Sequence, residues 1–245
     1  MISRLCLIAF VGVGLNAQQF DPAKAAALGA LMAAEWQEKT APVTSPAVQD
    51  YVRKLGQRLS PDRTWKFTVI RDDAGGVTHE PVSLPGGYIF VPAPLIVDGG
   101  NEAELAAMLA HAMAHEILPR MVWQESTIPA ILIPAAFPQA VPLGYAKLLR
   151  QNELAADQTA LMLLKSAGYD PSALPDYIRH TRNEPAGFSS WPSRRERLNA
   201  LDAGLRRLGP AGGKLDSDEF QTIRQALGVS RPRNRPTLIL PQDRQ

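Results

Sequence analysis

His111-Ala112-Met113-Ala114-His115 lies inside an apolar, alanine-rich run, and its reading decides how the rest of the chain is assembled. Residues four apart on an α-helix stand about 40° apart around its axis at ~100° per residue, so both imidazoles share one face. Two ring nitrogens placed that way can bind a single tetrahedral zinc ion. The surrounding run predicts a helix from Asn101 to Leu118. Glu102 and Glu104 fall in its first turn, and Leu105, Met108, Leu109, Ala112 and Met113 mark an apolar side. Pro119 ends or kinks it.

A His-x-x-x-His pair needs a carboxylate from another element to complete three protein ligands and leave one coordination position open. A second long helix, Tyr145 to Ala167, is closed by Gly168 as its left-handed cap and carries Glu153 and Asp157. Glu153 is the expected third ligand. Asp157, four residues on and on the same face, is placed to accept a hydrogen bond from the far nitrogen of a ligating histidine, which fixes that ring's tautomer. The expectation is one zinc per chain on His111, His115 and Glu153. In the metalloprotease pattern H-E-x-x-H the second residue is a glutamate acting as general base. Here it is Ala112. Glu116 is a distant substitute, displaced about 6 Å along the helix axis. His79 and His180 match no ligand pattern and read as surface residues.

Working outward, the periodicity predicts helices over Ala23 to Glu38, Pro46 to Leu59, Leu174 to Arg182, Arg194 to Leu208 and Ser217 to Leu227. Strands are expected over Trp65 to Ile70 and Tyr88 to Val91, with a turn over Asp72 to Gly76. Thr127 to Gly144 is strongly apolar but holds Pro129, Pro134, Pro138 and Pro142, so it reads as a hydrophobic loop rather than a membrane helix. The fold class is α+β and mainly helical, one domain over residues 18–230 with a small sheet beside the metal helix. Residues 231–245 form a basic, proline-rich tail.

The chain has 245 residues, 45% of them hydrophobic, enough for one sizeable core. A formal charge of +2, with no basic stripe interleaved with aromatics, gives no case for nucleic acid. Arg4, the apolar run Leu5 to Leu15 and the small-residue site ending at Ala17 read as a secretory signal over residues 1–17. That run is too short for a membrane span, which needs ~20 residues. Cys6, the one cysteine, falls inside it, so a mature chain beginning near Gln18 must use His, Asp or Glu as metal ligands. The chain is expected to be secreted or periplasmic.

Four blocks now stand in order: Leu84 to Val91, Asn101 to His111, Glu153 to Asp157, and Leu163 to Pro171. Together they resemble the zinc metallopeptidases that include the HtpX heat-shock proteases, the CAAX prenyl proteases and their soluble periplasmic relatives, over about residues 84–201. The resemblance implies a zincin-type domain that hydrolyses extended or misfolded polypeptides. It places Ala112 where the family has its catalytic glutamate. Ser190-Trp191-Pro192, ahead of Arg197, stands where the family has Thr/Ser-His-Pro, so Trp191 and Arg197 are expected in the cleft. Gly86, Gly87, Tyr88, Ile89, Phe90 and Val91 resemble an edge strand that would hold a peptide by strand addition.

General-base catalysis is worth about 10²–10⁴-fold, so an efficient protease is not expected. Three readings of Ala112 stay open: a natural pseudopeptidase, weak hydrolysis through another base, and a deliberate Glu-to-Ala replacement. Trp191 favours natural divergence, because a single inactivating change would leave the second motif alone. The two functional classes are a weak zinc endopeptidase and a secreted pseudopeptidase that binds peptides without cleaving them.

Overall fold

The computed structural model describes residues 22–71, 80–118, 143–180, 191–210 and 212–229. The signal-like segment, the turn at 72–76, His79, nearly all of the apolar loop and the basic tail lie outside them. Four strands are described: β1 (Ala41–Pro42), β2 (Lys66–Arg71), β3 (Val82–Leu84) and β4 (Tyr88–Pro92). The helices are α1 (Pro22–Lys39), α2 (Pro46–Leu59), α3 (Ala93–Asp98), α4 (Glu102–Ile117), α5 (Leu143–Ser166), α6 (Ala173–His180), α7 (Arg194–Leu208) and α8 (Asp218–Val229). The α+β, mainly helical class read from the sequence therefore holds.

The sheet runs β1-β2-β4-β3, with β2 and β4 parallel and the outer pairs antiparallel. Its two faces separate by residue parity, as strand alternation requires. Ile70, Leu84 and Phe90 face α1, where Ala33 and Trp36 cover them; the Trp36 and Phe90 rings lie 6.1 Å apart. Gly29 lets α1 come down on the β3–β4 turn, since a Cβ there would fall 1.6 Å from the Pro85 carbonyl oxygen. Val69, Ile89 and Val91 point the other way, into the main core with α2, α3 and α4.

This topology corrects one expectation. Tyr88 to Val91 is not an edge: β4 pairs with β2 on one side (Phe67 opposite Ile89) and with β3 on the other (Ser83 opposite Ile89). Its uninterrupted apolar run is that of a strand covered on both faces, and Ile89, Phe90 and Val91 are all buried. Gly86 and Gly87 serve the turn itself, with φ of 83° and 78°. The outer strand beside α4 is β3, and β1 closes the other end. At two and three residues, these strands are too short to register as alternation in the sequence.

Helix α4 is the centre of the core. Asn101 caps it by accepting from the Glu104 backbone N–H at 3.0 Å, and every residue from Glu102 to Ala114 is buried. Helix α5 packs along it and ends in a Schellman turn. Gly168, at φ 80°, donates to Lys165 O, and Tyr169 N donates to Leu164 O. That turn delivers the Tyr169 hydroxyl to Glu102 Oε1 at 2.5 Å, while Lys214 Nζ donates to the same oxygen at 2.9 Å and Arg58 donates to the Tyr169 hydroxyl.

Glu102 is only 1% exposed. Burial pushes its pKa up, but hydrogen bonds from Ser217, Tyr169 and Lys214 outweigh that and hold it below the usual glutamate value. Its contribution is therefore present above the unfolded-state pKa of ~4.3 and is lost as pH falls through the lower folded value. Glu102→Ala should cost about 1–3 kcal/mol in urea unfolding at pH 7, because it leaves the buried Tyr169 hydroxyl without its acceptor. The gap between wild type and variant should shrink as unfolding is repeated at progressively lower pH below ~4. A gap that is small at neutral pH, or independent of pH, would contradict this account.

Candidate metal centre

Helices α4 and α5 run antiparallel, so a step of four residues up one meets a step of four down the other. His111 faces Glu153 and Asp157, and His115 faces Glu153. The His111 Nε2 to Glu153 Oε2 distance is 3.3 Å, His115 Nε2 to Glu153 Oε1 is 3.4 Å, and the two Nε2 atoms are 3.1 Å apart. The imidazoles meet edge to face, with centroids 4.8 Å apart. One ligand atom from each of His111, His115 and Glu153 falls within 4.8 Å of the others, a grouping met once among the described residues. Two imidazoles and a carboxylate suit zinc in donor type and number.

The far nitrogen of His111 has its own partner. Nδ1 lies 2.9 Å from Asp157 Oδ1, although the ring N–H is not aligned on that oxygen well enough to count as a formed hydrogen bond. Asp157 is wholly buried and grips Arg197 with both oxygens: Arg197 Nε donates to Oδ2 at 2.9 Å and Nη2 to Oδ1 at 2.7 Å.

The electrostatics follow from this nesting. Burial disfavours the His111 imidazolium, yet Asp157 and Glu153 outweigh it and lift the pKa to about 9. Burial likewise works against the Asp157 carboxylate, but Arg197 and His111 bring it down to about 2. Glu153 is also held below its ordinary value, by the two histidines and Arg197 against the pull of burial. The two carboxylates, Glu153 and Asp157, are thus balanced within the cluster by His111 and Arg197.

The remaining expected site residues divide. Ala112 lies between the two histidines in sequence, and at 2% exposure it belongs to the apolar core. Trp191 is half exposed, and its carbonyl accepts from Arg150 Nε on α5, one turn before Glu153. Arg197 is engaged with Asp157 rather than presented openly to a cleft. Glu116 follows His115, and its backbone carbonyl accepts from Arg63. His180 is exposed at the end of α6. Sequence reasoning missed the parts that place Arg197. Ser193 and Glu196 form a reciprocal capping box at the start of α7, and Glu196 lies 3.8 Å from Arg150. The Ser193-x-x-Glu196 spacing was the available signal.

Comparison with known proteins finds metallopeptidase relatives. The profile of Peptidase family M48 matches residues 121–204, which take in Glu153, Asp157 and Arg197 and begin just after His115. The beta-barrel assembly-enhancing protease of Escherichia coli (strain K12) is 25% identical over 178 residues, covering 61% of this chain and 36% of that protein. The mitochondrial metalloendopeptidase OMA1 of Schizosaccharomyces pombe is 27% identical over 164 residues, covering 59% of this chain and 48% of that one. Its Arabidopsis thaliana counterpart is 30% identical over 115 residues, covering 40% of this chain and 24% of that protein. The chain thus spans about a third of the length of the assembly-enhancing proteases it matches.

Proposed function

We infer that this relative of the M48 metallopeptidases is a zinc-binding, peptidase-type protein that acts on extended or misfolded polypeptides and hydrolyses them slowly. The observation that carries this reading is the convergence of His111, His115 and Glu153 within 4.8 Å on two packed helices. Zinc, when bound, would polarise a carbonyl and acidify water. The chain's own residues do the rest. Glu153 and the two imidazoles supply the donors, Asp157 orients His111, and the outer strand β3 is the sheet edge beside α4 where a peptide backbone can pair. No described helix is long and apolar enough to cross a membrane. Residues 1–17 support export of the mature chain to the periplasm or beyond.

A second reading, binding without cleavage, draws on Ala112. Position 112 offers no group to accept the proton of an attacking water, and its methyl is packed in the core. Loss of a general base costs about 10²–10⁴-fold, which leaves binding as the larger residual activity.

The metal reading predicts one zinc per chain by elemental analysis after loading and desalting. His115→Ala and Glu153→Gln should each weaken binding by more than about 100-fold, since even changes to groups behind the ligands cost 10–100-fold. Absence of zinc in the loaded wild type, or unchanged affinity in both variants, would remove the proposal.

Export predicts a mature N-terminus near Gln18. Intact-mass measurement on secreted or periplasmic material should show it, and a mass that still includes Arg4 would contradict export by a cleaved signal.

Between cleavage and binding, Ala112→Glu is the deciding substitution. Position 112 lies ~100° from His111 and ~60° from His115 around the helix, so a glutamate there flanks both ligands. It would take a proton from the attacking water and return one to the leaving amine. A gain of about ten-fold or more in casein hydrolysis, on the order of 1.4 kcal/mol in barrier, identifies the missing base as the main lesion. If zinc stays bound without any gain, Ala112→Glu with Trp191→His is the next assay. An inert double variant that still binds unfolded chains establishes the binding reading.

A further inference from the structure

The Arg197–Asp157 pair is built more firmly than a cleft residue requires. Asp157 is wholly buried, and Arg197 retains 15% side-chain exposure. The contact is two-pronged, at 2.9 and 2.7 Å, which is the geometry that gives an arginine–carboxylate pair directional as well as electrostatic strength. The helix that carries Arg197 is itself pinned to α5 along successive turns. Arg150 holds the Trp191 carbonyl and lies 3.8 Å from Glu196. Gln158 Nε2 donates to the Ala200 carbonyl at 2.9 Å, and Arg207 donates back to Gln158 at 2.7 Å. Arg197 sits between these anchors, so its guanidinium has little freedom and imposes its plane on Asp157.

Asp157 passes that constraint on. Its Oδ1 accepts from Arg197 Nη2 and lies 2.9 Å from His111 Nδ1, while the opposite ring nitrogen faces Glu153 at 3.3 Å and His115 at 3.1 Å. With Nδ1 set against Asp157, the ring turns Nε2 toward His115 and Glu153. Without the arginine fork, a buried carboxylate has two rotatable bonds and no fixed plane. We propose that Arg197 is a positioning residue of the metal site, which acts through Asp157 to fix the ring of His111 so that its Nε2 points at Glu153 and His115. The assignment rests on the zinc reading above. It requires no contact between Arg197 and substrate.

The test uses the mature chain and measures zinc affinity by competition with a chromophoric chelator, together with the visible spectrum of the cobalt(II)-substituted protein. Arg197→Met should weaken zinc binding by about 10–100-fold, the scale for groups behind metal ligands, and alter the cobalt bands that report coordination geometry. Arg197→Lys, which keeps the charge but not the fork, should recover part of the affinity. In an Asp157→Asn background, Arg197→Met should change affinity by less than about two-fold, because the route through Asp157 is already broken. Folded Arg197→Met with wild-type affinity and spectrum would overturn the proposal and leave the pair as a strut between α5 and α7. An equal loss in the Asp157→Asn background would overturn it too, since Arg197 would then act by another path. Should Arg197→Met not fold, Arg197→Lys against Asp157→Asn decides: an intermediate affinity for the lysine supports the proposal, and wild-type affinity with an unchanged spectrum rejects it. Failure of the wild type to bind zinc would instead reject the site reading itself.

Discussion

Burial of α4 on all sides is the constraint from which the rest of the structure follows. A helix with no solvent-facing stripe is pinned by its neighbours, and each polar group on it must find a protein partner or cost several kcal/mol. It carries such groups at both ends. Glu102 opens the helix and is met by Tyr169 and Lys214. His111 and His115 close it and are met by Glu153 and Asp157. Apart from Lys214, these partners come from α5 and the turn that ends it. The antiparallel pairing of α4 with α5 is thus fixed at two polar points with an apolar seam between, and sliding by one turn would break both.

The same pairing explains what could be read from the sequence. His111 and His115 are four apart, Glu153 and Asp157 are four apart, and each spacing puts its pair on one helix face. Antiparallel packing then brings the faces together without further information. The capped helices were legible because Asn101 and Gly168 mark their ends locally. Strand order was not. Nothing within Tyr88 to Val91 states how many neighbours the strand has, and the absence of polar alternation was the only hint that it is central. The grip of Arg197 on Asp157 joins residues 40 apart in sequence, beyond the reach of any local pattern, so Arg197 was legible by resemblance alone.

The placement of β3 also bears on how a chain would enter the site. Because β4 is hydrogen-bonded on both sides, its amides are committed to the sheet, and any added strand must come at an end of it. Of the two described ends, β3 lies against α4 and β1 lies at the opposite side. A peptide paired with β3 would run along the flank of the helix that carries His111 and His115. At three residues, β3 offers few backbone groups for such pairing.

The charged cluster and Ala112 differ in what they do for the fold. His111, Glu153, Asp157 and Arg197 link three helices through buried, charged contacts, and removing one member of such a set typically costs 3–5 kcal/mol because its partner is left unpaired in the interior. Changing any of them would disturb the fold as well as the chemistry. Position 112 carries no such duty. Its side chain is a buried methyl within the main apolar cluster. The four charged residues are therefore tied into the packing of the helices, whereas the side chain at position 112 contributes only apolar contact.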